Sequence, residues 1–146
     1  MKLVISSNPR LLHIVRGVIR YCAQAAGFPE PDVDCLAMAI DEAAANVIRH
    51  AYDNRPDGRL SLDVLTFPDR LEFVLEDDGR KVPPEAIRPR ELHDVRPGGL
   101  GTYFIRCFMD RSSYDSDYAG GNRLRMVKYL PRKVAASDES PAQERG

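Results

Sequence analysis

Cysteine is scarce: Cys22, Cys35 and Cys107 are the only three in 146 residues. Their odd count, their wide spacing and their places in periodic apolar patterns argue against a disulfide scaffold or a CxxC metal site, so all three are expected as buried hydrophobes. Long apolar runs are missing too. None approaches the roughly 18 residues that a membrane-crossing helix needs. The start, Met1-Lys2-Leu3-Val4-Ile5-Ser6-Ser7, turns polar too soon for a signal peptide. A cytoplasmic protein with no membrane partner is therefore expected. Charge of either sign is not in excess, with 21 Lys+Arg against 22 Asp+Glu and a formal net charge of -1. That balance excludes a module held to nucleic acid by bulk charge, and no direct nucleic-acid contact is expected. Internal repeats are absent. What remains is an ordinary mixture, 43% hydrophobic, enough for one core.

The apolar pattern predicts a short strand over Lys2 to Ser6. A helix follows after the Ser7-Asn8-Pro9 break, with Leu11, Ile14, Val15 and Val18 assigned to the core and Arg10, Arg16 and Arg20 on the opposite, solvated face. Gly27 should end it. A second helix fits Asp32 to about Tyr52, with Val33, Leu36, Ala37, Ile40, Ala44, Val47 and Ile48 as its stripe. Asp53 to Gly58 is a turn. Residues 59–65 and 70–76 alternate as the two strands of a hairpin, with Leu60, Leu62 and Val64 on one buried face. Residues 77–99 hold four prolines and read as a long loop, of which 83–97 are expected to order over a ligand as a lid. A third helix fits Leu100 to Met109. A last hairpin pairs 112–116 with 122–128 through Gly120-Gly121. Helices and strands do not alternate, which excludes a doubly wound nucleotide fold. The order predicts an α+β two-layer sandwich, helices on one face of a mainly antiparallel sheet. Residues 1–130 form the expected domain, and 131–146 read as a disordered tail.

Three constellations carry chemistry. Glu42, Asn46 and His50 stand at i, i+4 and i+8 on one face of the second helix. A carboxylate and an amide oxygen one turn apart can serve Mg²⁺ and a hydroxyl near it. The plainer reading is a solvated face with Lys or Arg partners. Asp77-Asp78-Gly79 ends the third strand. There a carboxylate can accept from an exocyclic amine, with glycine allowing close approach; a simple Asp-Gly turn is the alternative. Arg96-Pro97-Gly98-Gly99-Leu100-Gly101-Thr102 opens the third helix. Its exposed N–H groups and the helix dipole favour an anion, with Thr102 adding a hydroxyl and Arg96 a charge, although such a run also suits a turn or cap. No Gly-Lys-Ser/Thr follows, so this is not a P-loop.

Taken together, the three resemble the anti-sigma factor serine/threonine kinases of bacteria, a branch of the superfamily of gyrase, histidine-kinase and MutL ATPases. The resemblance spans Lys2 to Leu130. It is carried by Asp41-Glu42-x-x-x-Asn46-x-x-x-His50-Ala51-Tyr52, by Asp77-x-Gly79, by Gly98-Gly99-Leu100-Gly101 and by Gly120-Gly121-Asn122-x-Leu124-x-Met126-Val127-Lys128. It implies the histidine-kinase-like ATPase fold with ATP and Mg²⁺ as cofactors. In that family's terms Glu42 is the general base, Asn46 the metal ligand and Asp77 the reader of the adenine amine. Gly79, Arg96, Gly98, Gly99, Leu100, Gly101 and Thr102 complete the nucleotide site. The implied activity is transfer of phosphate to a Ser or Thr of an anti-anti-sigma partner, with a sigma factor as the inhibited target and a homodimer as the assembly. A non-catalytic protein that binds ATP and sequesters a regulator is the alternative. Lys81 departs from the family pattern, which has Gly or Pro there. It either reshapes the root of the lid or reaches a phosphate. No phosphoacceptor helix pair stands in front, which disfavours a sensor histidine kinase.

Overall fold

A computed structural model describes residues 1–83 and 105–132. Strand β1 runs Lys2–Ser6. Asn8 then caps a single 3₁₀ turn, Pro9–Leu11, its side chain accepting from Arg10 N–H at 3.0 Å. That turn delays helix α1 to Leu12–Ala26, and it changes which residues face inward. The buried stripe is Leu12, Val15, Ile19 and Ala23. Ile14, expected in the core, is instead 38% exposed, and Leu11 and Val18 are only half-buried. Gly27 closes α1 in the left-handed conformation, φ 90°, which a Cβ would strain.

Helix α2 spans Glu30–His50, two residues earlier at each end than the periodicity predicts. Pro29 in extended conformation and Pro31 in the first turn fix its start, because proline's missing N–H has no partner to lose there. Two arginines assigned to the solvated face of α1 tie it to α2. Arg16 bonds Asp41 at 2.9 Å, and Arg20 pairs with Asp34 and Glu30.

Strands β2 (Arg59–Thr66), β3 (Arg70–Asp77), β4 (Arg111–Tyr114) and β5 (Asn122–Tyr129) complete a five-stranded sheet. Its order is β1-β2-β3-β5-β4, and every pairing is antiparallel. Leu60, Leu62, Val64, Leu71, Phe73, Leu75, Leu124 and Met126 point to one face and bury against the two helices. The predicted two-layer sandwich is thus the observed one. Of the third helix, residues 105–108 are described and helical; 100–104 lie outside the described residues, as do 84–99 of the long loop and 133–146 of the tail. That turn buries Ile105, and Met109 after it is buried too, while Cys107 faces outward. Cys107 is therefore exposed rather than the buried hydrophobe expected, while Cys22 and Cys35 are half-buried.

The pairing of β3 with β5 runs from Arg70 opposite Tyr129 to Asp77 opposite Asn122. Because side chains alternate along a strand, Asp77 shares the helix-facing side with Leu71, Phe73 and Leu75. It therefore lies under the helical layer, where the C-terminus of α2 meets the end of β3.

Candidate functional site

On α2, Glu42 is half-buried and Asn46 is 9% exposed, one turn further along the same face. Arg49 completes that face. Its Nη2 donates to Asn46 Oδ1 at 2.7 Å and lies 3.5 Å from Glu42 Oε2. Its Nε is buried with no acceptor among the described residues. The plainer sequence reading foresaw a basic partner for this face, and the structure supplies one on the next turn. His50 is half-buried. Burial first, then the charges of Arg49 and Arg80, hold its imidazole below the ordinary range.

Asp77 is 3% exposed. Its Oδ1 accepts from Gly79 N–H at 3.0 Å and from Asn122 Nδ2 at 2.9 Å. Oδ2 has no donor among the described residues. Burial raises the carboxyl above the usual range, and the bonds from Asn122 and Gly79 oppose that rise. Asn122 also donates to Arg80 carbonyl at 2.8 Å and accepts from Val82 N–H at 2.9 Å, so one amide holds the whole Asp77–Val82 turn. The sequence offered Asn122 only as part of a hairpin. Its position opposite Asp77 in the strand register is the signal that could have found it.

Two glycines allow the close fit. A Cβ on Gly79 would stand 2.7 Å from Ala51 carbonyl oxygen, so only glycine lets this turn rest on the end of α2. Arg80 secures the contact, its N–H donating to Ala51 carbonyl at 3.1 Å and its Nε to His50 carbonyl at 2.9 Å. Gly121, at φ 136°, brings the β5 turn against Asp77, where a Cβ would meet the Asp77 carbonyl oxygen at 2.1 Å. Tyr52 pins the other side. Its oxygen accepts from the N–H groups of Arg59 and Asp78, at 3.1 and 3.0 Å. It also lies 2.6 Å from Arg59 carbonyl, one of two acceptors open to its single proton, the other being Asp78 Oδ1. Burial, with Asp78 adding to it, pushes this phenol up to about 12.

Lys81 does not stand free. Its ammonium donates to the carbonyls of Tyr118 and Gly121, the latter at 2.8 Å. These contacts fix the start of the long loop to the β4–β5 turn. An open cleft of about 460 Å³ lies beside it, lined by Asp78, Gly79, Lys81, Tyr118 and Gly121. That cleft includes none of Glu42, Asn46 and Asp77. Arg96, Gly98, Gly99, Leu100, Gly101 and Thr102 lie outside the described residues. The structure therefore joins Glu42 and Asn46 on one helix face, and Asp77 and Gly79 at that helix's end.

The sequence profile of the family described as Histidine kinase-like ATPase domain matches residues 5–128. The chain belongs to this family. Within it, the chain is similar to the serine-protein kinase RsbW of several bacteria. It is 27% identical over 140 residues to that of Halalkalibacterium halodurans, covering 90% of this chain and 84% of the relative. It is 29% identical over 139 residues to that of Bacillus velezensis, covering 89% and 85%. It is 29% identical over 141 residues to that of Listeria monocytogenes serotype 4a, covering 90% and 87%. Among solved structures, the histidine kinase domain from Erythrobacter litoralis EL346 blue-light activated histidine kinase shares the fold. Its TM-score is 0.53 at 18% identity, over 84% of this chain and 60% of that one. Among the described residues no helix is long and apolar enough to cross a membrane.

The residues on hand fit the ligand that an ATPase domain implies. Asn46 and Glu42 offer oxygen donors only, which suits a hard divalent cation. Asp77 keeps one carboxylate oxygen without a donor among the described residues, on a turn that glycine brings close to helix and hairpin alike. An oxygen so placed can accept from an amine donor.

Proposed function

We propose that this protein is an ATP-dependent serine/threonine kinase of the anti-sigma type. It phosphorylates an anti-anti-sigma partner and binds and inhibits a sigma factor, and it works in the cytoplasm as a homodimer. One observation carries the reading. The Glu42–Asn46 pair lies one turn apart on the helix whose end is docked to Asp77–Gly79, in a chain matched to the ATPase family over residues 5–128. The names of the RsbW relatives, serine-protein kinases, support the choice of kinase.

In this reading Mg²⁺-bound ATP supplies the phosphoryl group and neutralises charge as the group moves. The protein's own residues do the rest. Asp77 Oδ2 accepts from the adenine amine, while Asn122 and Gly79 hold the opposite oxygen still. Asn46 turns its amide oxygen to the metal. Glu42 takes the proton from a seryl or threonyl hydroxyl of the partner, and its main task is position, so no strongly shifted carboxyl is required. Gly98, Gly99, Leu100, Gly101 and Thr102, with Arg96, supply N–H groups and charge toward the phosphates.

Radiolabelled ATP, incubated with the protein and candidate acceptor proteins, tests the reading. Label on one acceptor, reduced at least about a hundredfold by Glu42→Gln with ATP binding kept, is the expected result. Nucleotide binding with no transfer to any acceptor would favour the non-catalytic, regulator-sequestering alternative.

A further inference from the structure

We infer that Arg49 is an internal cation that occupies the metal-ligand oxygen of Asn46 in the metal-free protein, and that it sets the metal concentration at which nucleotide is taken up. This deepens the kinase reading and rests on it, because it concerns the same Glu42–Asn46 face.

The geometry sets the two occupants in competition. Arg49 Nη2 stands 2.7 Å from Asn46 Oδ1 and 3.5 Å from Glu42 Oε2, so one N–H corner of the guanidinium serves both oxygens. A divalent ion bound to that amide oxygen would lie within a few ångströms of a fixed positive charge. The amide oxygen has two lone pairs, but a divalent ion on one of them would face the guanidinium charge at close range, and that repulsion sets the two cations in competition. Nor do nearby cations share this role. Arg16 is held by Asp41 at 2.9 Å, and Arg80 by Asp53 at 2.8 Å and by the His50 carbonyl. Arg49 alone among these three meets both Glu42 and Asn46.

The pose also carries a cost that favours release. Arg49 Nε is buried without an acceptor among the described residues, and an unmet buried N–H opposes the conformation that buries it. The contact to Glu42 is not the parallel two-bond fork that makes arginine–carboxylate pairs strong. Arg49 thus keeps the Asn46 oxygen aimed and the Glu42 charge balanced while no metal is present, and it yields when metal arrives with nucleotide. The role is one of positioning.

The test uses the full chain, cleared of metal, with fluorescent N-methylanthraniloyl-ADP and a MgCl₂ titration. Wild type is measured first. If it takes up no nucleotide at any Mg²⁺ concentration, the nucleotide-site reading fails, and this inference with it. If uptake is Mg²⁺-dependent, Arg49→Gln should lower the Mg²⁺ half-point by about tenfold. Affinity at saturating Mg²⁺ should stay within about twofold, and Arg49→Lys should fall between the two. An unchanged half-point in Arg49→Gln overturns the inference. So does a weakened affinity at saturating Mg²⁺, which would make the guanidinium a phosphate ligand. In wild type the Arg49 Nε–Hε resonance should move with the same half-point as nucleotide uptake. A resonance that stays in place would also overturn it.

Discussion

Asp77 is under two opposed demands. Its burial favours the neutral acid, while the proposed contact with a base amine favours the charged one. Because its carboxyl is raised in the folded chain, the folded state holds that proton more tightly than the unfolded state does. The resulting stabilisation is present below the ordinary carboxylate range and is lost as pH rises through the raised value. Asp77→Asn removes the charge yet keeps an oxygen for Gly79 and Asn122. At pH 7 the variant should be as stable as wild type, or more stable by up to about 1 kcal/mol. Its advantage should shrink as pH falls toward 4. Its nucleotide affinity should drop about a hundredfold. Denaturant titrations at several pH values, beside nucleotide titrations, check all three, and an advantage that grows toward low pH would refute the burial account. Spacing drew attention to Glu42, Asn46 and Asp77 but left a solvated helix face and a plain Asp-Gly turn open, and the roles expected of them came from the family resemblance. The roles of Asn122 and Arg49 were not legible. Each depends on a bond whose partner is fixed by strand register or by a side-chain pose, and neither can be counted along the chain.

Among the elements, the β5 turn and the end of α2 support the site from two sides. Gly121 and Gly27 make a matched pair for testing that support, since both hold positive φ. A Cβ at Gly27 meets nothing within 4 Å, whereas one at Gly121 meets Asp77 carbonyl at 2.1 Å. Gly27→Ala should therefore cost about 1 kcal/mol for backbone conformation alone. Gly121→Ala should cost about 3 kcal/mol and weaken nucleotide binding as well. Equal costs in denaturant melts would mean that the hairpin does not press on Asp77. Helix and strand positions were readable to within a few residues, because caps, prolines and alternation act locally. On α1, Val15 is buried as expected, but Leu11, Ile14 and Val18 were misplaced for an equally physical reason. Leu11, Ile14 and Val18 form one apolar stripe and Leu12, Val15 and Ile19 another, and the 3₁₀ turn at Pro9–Leu11 decides between them. Ala23 extends the second stripe to the last turn of the helix.

For the whole molecule, a net charge of -1 gives no bulk attraction for a polyanion. Nucleotide must then be held by local groups, and binding must show as stabilisation of the folded chain. With Mg²⁺ and ATP together at about a hundred times the dissociation constant, linkage gives roughly 2.7 kcal/mol, or about 8 °C in melting temperature. Either component alone should give much less, as a melting scan can show.

Helix α2 carries Asn46, and its last turn supports Gly79 through Ala51, about 7.5 Å further along the axis. In the proposed function, base recognition and metal uptake would therefore meet on one helix. By reciprocity, a substitution that weakens the coupling of base to metal must weaken the coupling of metal to base by the same factor. Their coupling would then be one free energy, read from either end of a helix.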